Sequence, residues 1–270
     1  MALCCVVVFA SGCSVKFMYN NADRFARWSV SDYIDMDAAQ RDYFDEEFGA
    51  IMYWHRSEEL PRYASYLESL ETVLGDDAEP EDVQGVMDTL FSWWDRFEAR
   101  SINMVTEMLL SLSDEQVEKL PLRLADDNAE LSEDEHDQPL EDIQESWWQG
   151  YSDTLSRFSG RLTKDQKGYL AAQSVRYVPQ FDLWADYRRR WQGDLLVLLH
   201  EKRGDPEVFA GEFLELLAQR ESYYGEELAA VFDSNEKLAR DVTAWLINDF
   251  DDKQRERFFN RIGEMAAAFR

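Results

Sequence analysis

"DAAQRDYF", residues 37–44, carries the signal that decides the fold. Asp37 is a good helix N-cap, Gln40 stands three positions later, and Phe44 falls on the face that a helix started at Asp37 turns inward. In a capping box the cap side chain accepts from the amide three residues on, while that residue's side chain accepts from the cap's own amide, so two orphan donors are satisfied at once. The same arrangement returns as "SDEQVEKL" (113–120), "TKDQKGYL" (163–170) and "DDKQRERF" (251–258), each with an apolar residue seven positions after the cap. The intervals of 76, 50 and 88 residues exclude a fixed-period solenoid. Four helix starts follow, and with them an all-α class.

Outward from these starts, the apolar spacing is three and four rather than two. Phe44, Phe48, Ile51 and His55 form one stripe, and Leu60, Tyr63, Leu67, Leu70 and Leu74 form the next. The step between them is out of phase at Pro61, which has no N–H for the carbonyl of Ser57, so a kink or a fresh helix start is predicted there. Pro80 opens a long helix with Val83, Met87, Leu90, Trp94, Phe97, Met104 and Met108 on one face; Phe91, Trp93, Val105 and Leu109 widen that face and predict a largely buried helix. A stripe of Leu140, Ile143, Trp147, Tyr151, Leu155 and Phe158 follows Pro139. Phe181, Trp184, Trp191, Leu195 and Leu198 lead to a stop at Gly204-Asp205-Pro206, after which Phe209, Phe213, Leu216 and Leu228 continue the pattern. The expected architecture is a multi-helix bundle without a sheet.

The chain has 270 residues, 45% of them hydrophobic, enough for a substantial core. Acidic side chains outnumber basic ones 55 to 28, and the net charge of −27 argues against nucleic acid as a partner, because phosphate would be repelled. Solubility is one reading of that charge, and attraction of a basic partner or divalent cations is another. The most acidic stretch, "DDNAELSEDEHD" (126–137), reads as an exposed loop or frayed helix end. It imitates a calcium loop but places Leu131 where the sharp turn demands glycine.

All three cysteines, Cys4, Cys5 and Cys13, fall in the opening stretch, so the body of the chain has no disulfide and no cysteine metal site. Ala2 to Ala10 reads as the apolar part of a secretory signal, and Ala10, Ser11 and Gly12 are the small residues of a cleavage site. With Cys13 directly after them, the segment resembles the lipobox of bacterial lipoproteins. That resemblance implies a diacylglyceryl group on the Cys13 sulfur, removal of residues 1–12, and an anchor in place of a spanning helix. The short run without Lys or Arg leads us to expect a signal peptide truncated at its start, with a basic region upstream. Ser14 after the cysteine implies the outer membrane, leaving residues 13–270 as one all-helical periplasmic domain.

Tyr19-Asn20-Asn21-Ala22-Asp23, Asp32-Tyr33-x-Asp35, and Trp54-His55-Arg56 through Glu59-Leu60-Pro61-Arg62-Tyr63 together resemble an uncharacterised Gram-negative lipoprotein family, domain of unknown function 6279. The resemblance is strongest over residues 13–75 and implies an envelope address without a reaction. Read physically, Tyr19, Asn20, Asn21, Asp32, Tyr33, Asp35, Trp54, His55 and Arg56 form a polar cluster before a proline break. Asp32 and Asp35 are expected partners for Arg56, and Tyr33 or Tyr63 for His55. A network locking the N-terminal segment to the bundle is favoured over a ligand site. Arg188, Arg189 and Arg190 with Trp191 suit lipid headgroup phosphates, against the plainer reading of a solvated face paired with local carboxylates.

His55, His136 and His200 occur singly, without an H-E-x-x-H pair, and no G-x-S-x-G elbow or glycine-rich phosphate loop is present. No catalytic residue, metal or cofactor is nominated. The expected function is a lipid-anchored binding or scaffolding protein with a protein partner in the envelope. Two alternatives stay open. Leu112–Gln116 and Leu162–Gln166 are similar to the twin L-T-x-x-Q motifs of small periplasmic helical chaperones, which implies a client binder; a cell-wall hydrolase would require a buried Glu with a second carboxylate. Oligomeric state is left open.

Overall fold

A computed structural model describes residues 19, 21–75, 77–133 and 138–270. Cys13, the residues 1–12 read above as a signal segment, Asn20 and His136 lie outside the described residues. Within them all regular structure is helical. In chain order the α-helices are α1 (Ala22–Ser31), α2 (Ala38–Trp54), α3 (Leu60–Leu74), α4 (Pro80–Leu110), α5 (Asp114–Glu133), α6 (Leu140–Ser159), α7 (Lys164–Gln173), α8 (Phe181–Lys202), α9 (Pro206–Ala218), α10 (Gly225–Asp249) and α11 (Asp252–Ala268). A π-helical turn, His55–Glu59, joins α2 to α3. All four capping boxes form.

Three apolar clusters make up the core. The largest gathers Leu67, Leu70 and Leu74 of α3, Tyr151 and Leu155 of α6, Leu170 of α7, Leu238, Val242 and Leu246 of α10, and Phe258, Ile262 and Ala266 of α11. A second holds Leu109, Leu120, Leu198, Leu199, Phe209 and Phe213, joining α4, α5, α8 and α9. The third packs Phe44, Phe48 and Ile51 of α2 against Met104 and Met108 of α4, with Ala22, Ala26 and Val30 of α1 laid over them. Helix α4 threads all three, from Val83 in the first to Leu109 in the second. Its 31 residues span about 46 Å at 1.5 Å each.

The capping glutamines do more than cap. Gln166 and Gln254 face each other across the chain, each Nε2 donating to the other's Oε1 at 3.0 and 2.9 Å. Each Oε1 also accepts from its own cap amide, Thr163 or Asp251. Each Nε2 also donates to the carbonyl two residues before the partner's cap, Asp249 or Arg161. Gln40 and Gln116 repeat the scheme, bonding each other at 3.0 and 2.8 Å, their own caps Asp37 and Ser113, and the carbonyls of Ser111 and Asp35. A primary amide has two donors and two acceptor sites, so every one is used. The residue before each cap, Met36, Leu112, Leu162 or Phe250, is buried, as is the residue seven after it, Phe44, Leu120, Leu170 or Phe258. Two twinned clasps thus join α2 to α5 and α7 to α11. The L-[ST]-x-x-Q motifs at Leu112 and Leu162 belong to different clasps and do not meet as a pair.

Several expectations need correction. Helix α4 is half-buried, not largely buried: Phe91, Trp94 and Val105 face solvent because neighbours cover only the side bearing Val83, Met104 and Met108. Leu140 at the head of α6 is likewise exposed. The start of the acidic stretch is not a loop. Residues 126–133 continue α5, with Asn128 buried and donating to Gln192 of α8 at 2.6 Å, and Asp127 paired with Arg188. A helix separates side chains too far for a calcium loop, so the imitation ends there.

Substituting Gln166 by Ala should destabilise the fold by about 2–3 kcal/mol, because the buried amide of Gln254 loses its partners as the α7 cap opens. The double variant Gln166→Ala/Gln254→Ala should cost about 1 kcal/mol less than the sum of the single variants. Urea unfolding of the four proteins checks this; strict additivity would show that the two amides are not coupled.

Candidate functional site

Pro61 shapes the site. With no N–H at residue 61 and a ring that would crowd the carbonyl of Ser57, the chain widens by one residue. Leu60 N–H reaches back to the carbonyl of His55, five residues earlier. The predicted break is therefore a π-turn inside a nearly continuous helix rather than a sharp kink. Its consequence is a line of inward side chains at four-residue intervals, His55, Glu59 and Tyr63. Opposite them, α4 presents Trp93, Arg96, Phe97 and Arg100.

The two lines interlock. Glu59 is buried to 1% exposure and accepts from Arg96 Nε at 2.9 Å and Nη2 at 2.6 Å, a two-pronged pair, with Arg62 Nη1 at 3.7 Å. The bonds from Arg96 hold the Glu59 carboxyl below the usual carboxylate range, against the opposing effect of burial. Tyr63 stacks on Trp93 with ring centres 3.9 Å apart, and burial drives its hydroxyl up to about 12. His55 meets Tyr63 and Phe97 edge-on, at 5.4 and 5.8 Å. Its Nδ1 lies 2.8 Å from the hydroxyl of Tyr19. Burial lowers the His55 pKa, partly countered by the charge of Glu59, so the ring favours its neutral form. Arg56 lies over the Tyr19 ring at 5.0 Å, and Arg100 over Trp54 at 5.8 Å.

The nominated residues therefore divide. Tyr19, Trp54, His55 and Arg56 converge at the π-turn. Asn21 caps α1, its carbonyl accepting from Arg24 and Phe25. Asp32, Tyr33 and Asp35 lie at the other end of α1: Asp35 pairs with Arg123 at 2.5 Å, and Tyr33 lies beside Asp127 and Arg188, with burial raising its pKa. Asp32 and Asp35 are thus not the partners of Arg56, because α1 runs antiparallel to α2 and carries them away from residue 56. Tyr19, not Tyr33, bonds His55, while Tyr63 touches it only by its ring. Beside Asp35 a pocket of about 180 Å³ is lined by Tyr33, Asp37, Glu115, Lys119 and Arg123.

In the arginine run, Arg188 pairs with Asp127, Arg189 with Asp186 at 2.5 Å, and Arg190 donates to the carbonyl of Tyr223 at 2.6 Å. Trp191 Nε1 donates to the carbonyl of Leu216 at 3.3 Å. Glu59, Trp93, Arg96 and Phe97 were not nominated from sequence. The available signal was the spacing of Glu59 from His55 and Tyr63 across the proline break.

Chemically, the π-turn cluster is a neutral imidazole over an ionised carboxylate held by guanidinium groups. A carboxyl kept ionised has no proton to give near neutrality, so Glu59 does not fit a general acid, and its charged partners are cations rather than a second carboxylate. Among the described residues no group of three or more His, Cys, Asp or Glu side chains is placed to hold a metal ion, and no helix is long and apolar enough to cross a membrane.

An all-helical bundle closed by paired capping glutamines, with an aromatic and ionic lock at a π-turn, is thus the class of protein defined here. The chain belongs to the family described as a family of unknown function, DUF6279, which it matches over residues 32–229. The match extends well past the N-terminal stretch on which the resemblance was strongest, and it ends before Gln254. No curated protein and no solved structure matches the chain.

Both titrations weaken the fold in acid. A depressed histidine pKa means that the unfolded chain takes up the proton first, so stability from His55 is complete above about pH 6.5 and falls below it. The same sign applies to Glu59 below about pH 4.5. Glu59→Gln should lower stability at pH 7 by about 2 kcal/mol, and its deficit should shrink towards pH 3. A deficit that stays constant with pH would assign the loss to shape rather than charge.

Proposed function

We propose that this chain is an envelope lipoprotein held by acyl groups on Cys13, with a binding or scaffolding role rather than a catalytic one. The observation that carries the reading is the Ala10-Ser11-Gly12-Cys13 run, and it is complemented by the bond between Tyr19 and His55, with Arg56 against the same tyrosine. That bond fastens the chain to the bundle just where it departs towards Cys13, six positions earlier. Six residues reach at most about 20 Å, so acyl groups at Cys13 would hold the bundle close to the bilayer surface. Two or three buried acyl chains, at about 0.8 kcal/mol per methylene, make such an anchor effectively permanent.

The Ala10-Ser11-Gly12-Cys13 segment supports the anchor, and Ser14 supports the outer membrane facing the periplasm. The ionic and aromatic groups of the π-turn face one another and rigidify the body, which supports the scaffolding side of this reading. Mass spectrometry of protein purified from its own host should find Cys13 N-terminal and acylated; an unmodified chain that retains residues 1–12 would overturn the reading. Crosslinking in intact envelopes, followed by identification of the adducts, would then name the partner.

A further inference from the structure

Helix α1 lies over α2 and α4 through Ala22, Ala26 and Val30, and no side chain in it is buried. Its outward side carries Trp28 at 67% exposure and Phe25 at 44%, with Arg24 exposed beside them. At 100° per residue, Arg24 and Phe25 sit about 40° and 60° from Trp28, whereas Asp23 is about 140° away. Arg27, on the flank, is held by Asp45 at 2.9 Å. An exposed Trp and Phe next to a basic side chain is a costly surface to leave in water, and it is the composition of a helix that lies in a headgroup layer.

We propose that this outward face of α1 rests in the interface of the bilayer, with Trp28 and Phe25 at the acyl boundary and Arg24 on lipid phosphates. The inference rests on the anchored reading given above. The occupant follows from where the chain goes: Ala22 stands nine positions after Cys13, a reach of at most about 30 Å, so acyl groups there hold α1 nearest the membrane. Charge is consistent with this, since Arg24, Arg27, Arg56 and Arg62 offset Asp23, Glu58 and Glu59 at this end of a chain of net charge −27. The rest of the body is repelled by an anionic surface, which favours an orientation with α1 facing it.

The test bypasses native acylation. Full-length chain carrying Cys4→Ala and Cys5→Ala is coupled through the Cys13 thiol to maleimide-bearing lipid in phosphatidylethanolamine/phosphatidylglycerol vesicles, with and without bromine on the acyl chains. Bromine should quench part of the tryptophan emission, and Trp28→Phe should lower the quenched amplitude at least two-fold while leaving the melting temperature unchanged. Equal quenching in both proteins, or none in either, overturns the proposal. Acylation of Cys13 in the native host is read separately by mass, so the two ideas fail independently.

Discussion

The fold depends on facing amides. A helix start normally needs only an acceptor at the third position, and Glu serves that purpose as well as Gln. Here each third-position side chain must both accept from its own cap and donate to another loop, and only an amide can do both. Two carboxylates set head to head would repel and would leave the loop carbonyls of Asp35, Ser111, Arg161 and Asp249 without donors. In a chain with 55 acidic residues, Gln at all four of these positions reflects that double duty. The clasps fix which helix starts lie side by side, and the buried residues flanking each box, such as Leu162 and Leu170, then have only one core to enter.

The π-turn is a local exception that the global packing uses. An ordinary α-turn through residues 55–59 would put the Pro61 ring against a carbonyl. The wider turn relieves that clash and rotates Glu59 inward, where a charge would be intolerable without Arg96. Aromatic rings close around the pair, and Tyr63 bridges it to Phe269 near the chain end at 6.4 Å. Tyr19, the π-turn, the central helix α4 and the end of α11 are thereby mechanically connected.

Much of this was legible from residues alone. The four boxes, the Pro80 start, the Asp205-Pro206 restart and the break at Pro61 follow from local chemistry, which acts within a turn of the chain. The pairing of Gln40 with Gln116 and of Gln166 with Gln254 was not legible, because nothing local specifies which of four equivalent starts will face which. The same holds for Glu59 and Arg96, 37 residues apart, whose pairing is decided by how α3 lies on α4. Apolar periodicity overstated the burial of α4, since Trp94 and Phe91 continue its stripe onto a side that no neighbour covers. Of the two readings of the acidic stretch, the helix end is what residues 126–133 form, and Arg188 and Gln192 supply partners for Asp127 and Asn128 that composition cannot reveal.

Helix α11 has a consequence for how the molecule comes into being. Phe258, Ile262 and Ala266 lie in the same cluster as Leu67 and Leu70, almost two hundred residues earlier in the chain. During synthesis, α3 therefore emerges long before the surface that covers it. Until α11 is released, an oily trough stays open to any passing hydrophobic chain, and the largest cluster closes only when that helix docks.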